Sequence, residues 1–98
     1  MNTKLIILAI TPVFSAGVIV VTANADRILT PSDINSALAR HLTGDWGEQY
    51  THDRLVNDEA VKLGERLHSI YRTPRGTVFW VMTEWDRSCT TILLPSDY

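Results

Sequence analysis

The stretch Thr77–Tyr98, TVFWVMTEWDRSCTTILLPSDY, decides the fold. Val78 to Thr83 is a run of branched and aromatic residues, and Thr90 to Leu94 is a second. Both suit the pleated surface of a sheet. Between them Glu84-Trp85-Asp86-Arg87-Ser88 is polar except for its indole, which predicts two strands joined by a tight turn. Just upstream, Arg66 to Arg72 alternates, with Leu67, Ser69 and Tyr71 on one side and His68 and Ile70 on the other. Thr73-Pro74-Arg75-Gly76 is a turn with Pro and Gly suitably placed. Residues 66 to 94 therefore read as a three-stranded antiparallel meander. In its middle strand Val78, Trp80 and Met82 take one face and Phe79 and Val81 the other. Two apolar faces predict a central strand covered by helices on at least one side.

The region before the meander reads as two helices. Thr30-Pro31-Ser32-Asp33 is a helix start, with Thr30 as cap, Pro31 at the first helical position and Asp33 reaching back. Ile34, Ala37, Leu38, His41 and Leu42 fall on one face, and Gly44 is a left-handed stop. The second helix runs from His52 or Asp53 to Leu63, with Thr51 as cap and Gly64 as stop. Leu55, Val56, Glu59, Ala60 and Leu63 share a broad face, while Asn57 is a poor helix former in the middle of it.

The N-terminal stretch supports two readings. Lys4 is followed by an uncharged run that lasts until Asp26, ending in Ala23-Asn24-Ala25. That order fits a secretory signal cut after Ala25, and the run is long enough to consider as a membrane span. The same residues also read as strands over Lys4–Ile10 and Val18–Thr22, separated by Thr11-Pro12 and a Ser15-Ala16-Gly17 turn. The second reading is adopted because the resemblance given below extends into this region.

With 98 residues, 45% of them hydrophobic, the chain makes a single domain over residues 1–98. Its net charge is −2 and no basic cluster stands out, which argues against direct nucleic-acid binding. The lone Cys89 excludes an internal disulfide.

No residue set dictates a reaction. Ser88 and Cys89 lack an activating context, and His41, His52, His68 and Cys89 lack metal-ligand spacing, so neither cofactor nor metal is expected. His41 reads as a partly buried residue near a helix C-terminus. Glu84, Asp86 and Arg87 cluster at the hairpin, where the plain reading is a local ion pair and the sharper one a small enzyme site. In Gly44-Asp45-Trp46-Gly47 the plain reading is a turn whose indole covers the core edge; the sharper one is a recognition loop.

Taken in order, several pieces form a pattern: His41-Leu-Thr-Gly-Asp-Trp-Gly, Asp53, Asn57-Asp-Glu-Ala, Arg66-Leu-His-Ser-Ile-Tyr, Trp80-Val-Met-Thr-Glu-Trp-Asp-Arg-Ser, Thr90-Thr-Ile-Leu-Leu-Pro and Tyr98. This resembles a family of small bacterial proteins described as plasmid-related and carried on mobile elements. The resemblance covers roughly residues 17 to 98 and departs at Trp85, where the family usually has alanine. It implies a cytoplasmic protein in which Val18–Thr22 belongs to the fold, and it carries no functional residues over.

The expectation is an α+β fold: an antiparallel sheet of three C-terminal strands plus one or two N-terminal strands, packed with two helices. The expected function is a non-enzymatic accessory protein of a mobile element that docks on a larger protein, for example as a counter-defence inhibitor. The expected contacts are Trp46, Trp85, Asp86 and Arg87, then Asp45 and Glu84. No membrane partner is expected, and a homodimer is compatible with the chain. The alternatives are a secreted or periplasmic domain starting at Asp26, or an enzyme using Glu84, Asp86 and Arg87.

Overall fold

The structure is a computed structural model that describes residues 10–98. In order, the elements are β1 (Val18–Val21), α1 (Ala23–Ile28), α2 (Pro31–Leu42), α3 (Thr51–Leu63), β2 (Leu67–Arg72), β3 (Val78–Thr83) and β4 (Cys89–Leu93), then a 3-10 turn, Pro95–Asp97. The fold is α+β. The strand expected over Lys4–Ile10 lies, save for Ile10, outside the described residues.

The meander forms as its alternation requires. Tyr71 pairs with Phe79, Ser69 with Val81 and Val81 with Ile92, so Tyr71, Ser69, Phe79, Val81 and Ile92 share the helix-covered face. β1 then corrects the expectation of a purely antiparallel sheet. It adds beside β4 in parallel, with Val21 opposite Ile92, and the order is β1-β4-β3-β2. Parallel pairing is open to these strands because the helices and the rest of the meander lie between them in the chain, a connection long enough to cross over.

A second correction concerns the helices: three are present among the described residues, where two were expected. Ala23-Asn24-Ala25 opens α1. Thr22 caps it by accepting from Ala25 N at 3.2 Å, while its own hydroxyl donates to Asp97 Oδ2 at 2.6 Å. Ala25 is fully buried in the core with Leu29, Ala37, Tyr71, Phe79, Val81 and Ile92. A cut after Ala25 would remove β1 and this cap.

α2 begins with the expected capping box: Thr30 Oγ1 accepts from Asp33 N at 3.1 Å and Asp33 Oδ2 accepts from Thr30 N at 2.9 Å. Such a cap contributes about 1 kcal/mol. The helix ends in a Schellman motif, with Gly44 N donating to His41 O and Asp45 N to Arg40 O. Gly44 stands at φ 85°, as its role as a stop requires. α3 starts one residue earlier than expected. Tyr50 precedes it without a side-chain cap, and Gly64 closes it in the left-handed region.

The outer edge of β2 is occupied by polar groups. Asn57 Oδ1 accepts from His68 N at 3.1 Å and Asn57 Nδ2 donates to His68 O at 2.9 Å. One residue pair along, Ile70 N donates to Trp46 O and Glu48 N to Ile70 O. Asn57, an unfavourable residue for a helix, thus acts as a one-residue strand partner. It closes an edge that would otherwise template pairing with another chain.

Candidate partner-binding surface

The β3–β4 hairpin is built from its backbone outward. Glu84 N donates to Cys89 O at 3.0 Å and Arg87 N to Glu84 O at 3.0 Å. Asp86 Oδ1 accepts from Ser88 N at 3.0 Å, the side-chain turn favoured by Asp. Hydrogen bonding from Ser88 holds the Asp86 carboxyl below the usual carboxylate range. Arg87 is non-glycine yet sits at φ 61°, a left-handed position that carries a steric cost.

What holds Arg87 there is its guanidinium. Nη1 donates to Glu65 O at 2.6 Å and Glu84 O at 3.1 Å, and Nη2 donates to Ala60 O at 2.9 Å. The side chain therefore ties the C-terminal end of α3 to the hairpin. Its charge lies against carbonyls at the C-terminal end of α3, where a cation is favoured. The local ion pair expected with Glu84 or Asp86 does not form. The described ion pairs are Arg40–Asp45, Arg72–Glu48 and Arg75–Asp33. Trp85, at the tip of this clasped hairpin, is 66% exposed.

Asp45 and Trp46 lie on the loop after α2 and have different tasks. Asp45 takes two bonds from Arg40, at 2.7 and 3.1 Å, and accepts from Gly47 N at 3.2 Å. The Arg40 guanidinium holds its carboxyl below the usual range. Trp46 is only 3% exposed and its Nε1 donates to Asp58 at 2.9 Å. Its ring stacks on Phe14 at 6.2 Å and meets His41 edge-on at 5.6 Å. Trp46 is thus part of the core with Ala60 and Leu67, as the plain reading has it, and offers no ring to a partner. Gly47 lets the loop touch β2: a Cβ there would stand 1.9 Å from Ile70 O.

Sequence reading missed the buried centre beneath this loop. His41 is fully buried, not partly so. Its Nδ1 lies 2.6 Å from Ser69 Oγ and its Nε2 2.8 Å from Thr83 Oγ1. Thr83 Oγ1 is 2.7 Å from Thr90 Oγ1, which donates to Ala16 O at 2.7 Å. A carbonyl only accepts, so the last bond orders all the others. Thr90 gives its proton to Ala16, Thr83 gives its own to Thr90, His41 Nε2–H donates to Thr83, and Nδ1 accepts from Ser69. Burial pushes the imidazole down to about 3, so it is neutral in the fold. The signal was present in the sequence: Ser69, Thr83 and Thr90 occupy core-facing positions in their strands.

Among the described residues, two recesses are lined by residues outside the hairpin. One, of about 140 Å³, lies between α2 and the β2–β3 turn, where Ser36, Arg40, Tyr71 and Thr73 line it. The other, of about 310 Å³, is lined by Gly44, Asp45, Trp46, Gly47, Arg54 and Asp58. Among the described residues no three His, Cys, Asp or Glu side chains gather to hold a metal ion. Nor is any described helix long and apolar enough to cross a membrane. No protein-family model, curated protein or solved structure matches the chain.

Proposed function

We propose that the protein is a non-enzymatic docking protein that binds a larger protein through its β3–β4 hairpin. The observation that carries this reading is Trp85, two-thirds exposed at the tip of a hairpin that Arg87 ties to α3. A large indole on a fixed support loses little freedom on binding, and Trp is among the residue types enriched at interface hot spots. Within the acidic and basic set at the hairpin, Arg87 donates to carbonyls and the Asp86 carboxylate accepts from the Ser88 amide, which favours docking over catalysis. The resemblance to mobile-element proteins gives the concrete form: an accessory protein that inhibits a host defence enzyme by occupying its surface. The test presents the full chain and a Trp85→Ser variant to purified restriction and CRISPR effector complexes. Binding and inhibition by the full chain, lost in the variant, support the reading. Inhibition that survives the substitution refutes the role of the hairpin.

A further inference from the structure

We infer that β1 is an interface between two copies of this chain, joined edge to edge and antiparallel across a two-fold axis at Val20. This goes beyond the docking reading and does not use the hairpin. The two edges of the sheet are built differently. Asn57 and the loop that carries Trp46 and Glu48 occupy the outer edge of β2. The opposite edge is β1, Val18-Ile19-Val20-Val21, which has no charge, no proline and an unbroken register with β4. Among the described residues no strand pairs with its outer side, and Val18, Ile19 and Val20 are 67, 45 and 42% exposed. A bare edge of β-branched residues templates pairing with another strand.

The backbone and the charge select the occupant. Val18 N donates to Ser88 O and Thr22 N to Ile92 O, so in the alternation of a parallel ladder Val18, Val20 and Thr22 face β4. Ile19 and Val21 therefore turn both N–H and C=O outward. These groups need an extended strand, and a second β1 supplies one whose donors and acceptors match by symmetry. Antiparallel pairing sets outward residues against outward residues. Ile19 then faces Val21 of the second copy, Val21 faces Ile19, and Val20 meets its own counterpart in a non-hydrogen-bonded pair. A two-fold axis also sets each side chain near its own copy, which an uncharged strand tolerates and a charged one does not. No charged residue occurs from Thr11 to Ala25. With four strand residues from each copy, the contact is smaller than that of a permanent dimer, so the association is weak and reversible.

The test is sedimentation equilibrium on the full chain, Val20→Lys and Trp85→Ser, over a concentration series reaching about 1 mM. Expected is a monomer–dimer equilibrium that Trp85→Ser leaves unchanged. Val20→Lys should weaken it at least about tenfold, because two ammonium groups would meet at the axis. Val20 is exposed, and circular dichroism checks that the fold is kept. A second measurement does not depend on that variant. Cys89 is the lone cysteine, so a Cys89→Ser background leaves an introduced thiol as the only one. In it Val20→Cys should oxidise to a disulfide-linked dimer, since the Cα atoms of such a pair stand about 4.5 Å apart. Ile19→Cys, displaced by two residues from its counterpart, should not. A chain that stays monomeric throughout the series overturns the inference and leaves the edge to a different strand. A dimer that Val20→Lys leaves intact overturns it by placing the contact elsewhere. A dimer that Trp85→Ser dissolves overturns it and sets a second copy on the hairpin.

Discussion

His41 Nε2 lies 2.8 Å from the Thr83 hydroxyl, and both groups are sealed from solvent. Because the chain of hydroxyls ends on the Ala16 carbonyl, this contact has a fixed direction, with His41 as donor. The helical layer, three strands and the N-terminal segment thus meet in one polar line through the core. Such a line favours a unique packing only while every member is satisfied.

The first prediction concerns pH. The unfolded chain takes up a proton on His41 near 6.5, whereas burial, with a smaller contribution from the charges of His68 and Arg87, holds the folded value at about 3. The unfolded state therefore binds more protons between these values. The stabilisation is fully present above the unfolded value and is lost as pH falls toward the folded one, by at most about 1.4 kcal/mol per pH unit. Urea midpoints measured on the acid side of neutrality should fall with pH. A His41→Leu variant should start about 3 kcal/mol lower, from the stranded Ser69 and Thr83 hydroxyls, and show a flatter slope. Parallel slopes in the two proteins would contradict a neutral buried imidazole.

Asn57 is expected to be worth more than its surface area. Asn57→Leu removes both bonds to His68 and should cost about 2–3 kcal/mol in urea unfolding. It also opens the β2 edge, so light scattering on warming should rise earlier than in the parent chain. Asn57→Asp keeps the acceptor but sets a carboxylate against His68 O and Gln49 Oε1. That variant should gain stability relative to the parent as acidification protonates the new carboxyl.

Arg87 combines a strained backbone with a clasp, and two substitutions separate them. Arg87→Ala loses the clasp and keeps the left-handed strain, so a loss of about 2–3 kcal/mol is expected. Arg87→Gly loses the clasp but relieves the strain, and should recover about 1 kcal/mol of that loss. Equal midpoints for the two variants would mean that the positive φ costs nothing here.

Two glycines with similar φ should respond differently to alanine. Gly64, at φ 69°, has open space where a Cβ would go, so Gly64→Ala should cost only the conformational penalty, about 1 kcal/mol. A Cβ added to Gly47, at φ 77°, would collide with Ile70 O and stand 2.8 Å from the Tyr71 ring. Gly47→Ala must push the loop off β2, breaking the Ile70 N to Trp46 O bond. Loss of several kcal/mol and a more exposed Trp46, read by fluorescence, are expected. A midpoint close to that of Gly64→Ala would show that the loop does not pack as described.

The α+β class, the meander and its facing pattern, the Thr30 capping box and both stops at Gly44 and Gly64 were legible in the chain alone. These follow from alternation, spacing and residues with special φ, all of which act within a few positions. Only the tertiary structure decided that β1 lies parallel beside β4, that Ala23–Ile28 is helical, and that Arg87 leaves its neighbouring acids for Ala60 and Glu65 carbonyls. It also decided which tryptophan is free. Trp46 and Trp85 both sit in polar turns in the sequence, yet Phe14 and His41 enclose the first while the second is two-thirds exposed. The physical reason is range. Local patterns fix the conformation of short segments, whereas burial and hydrogen-bond partners depend on residues that the fold brings together from far along the chain.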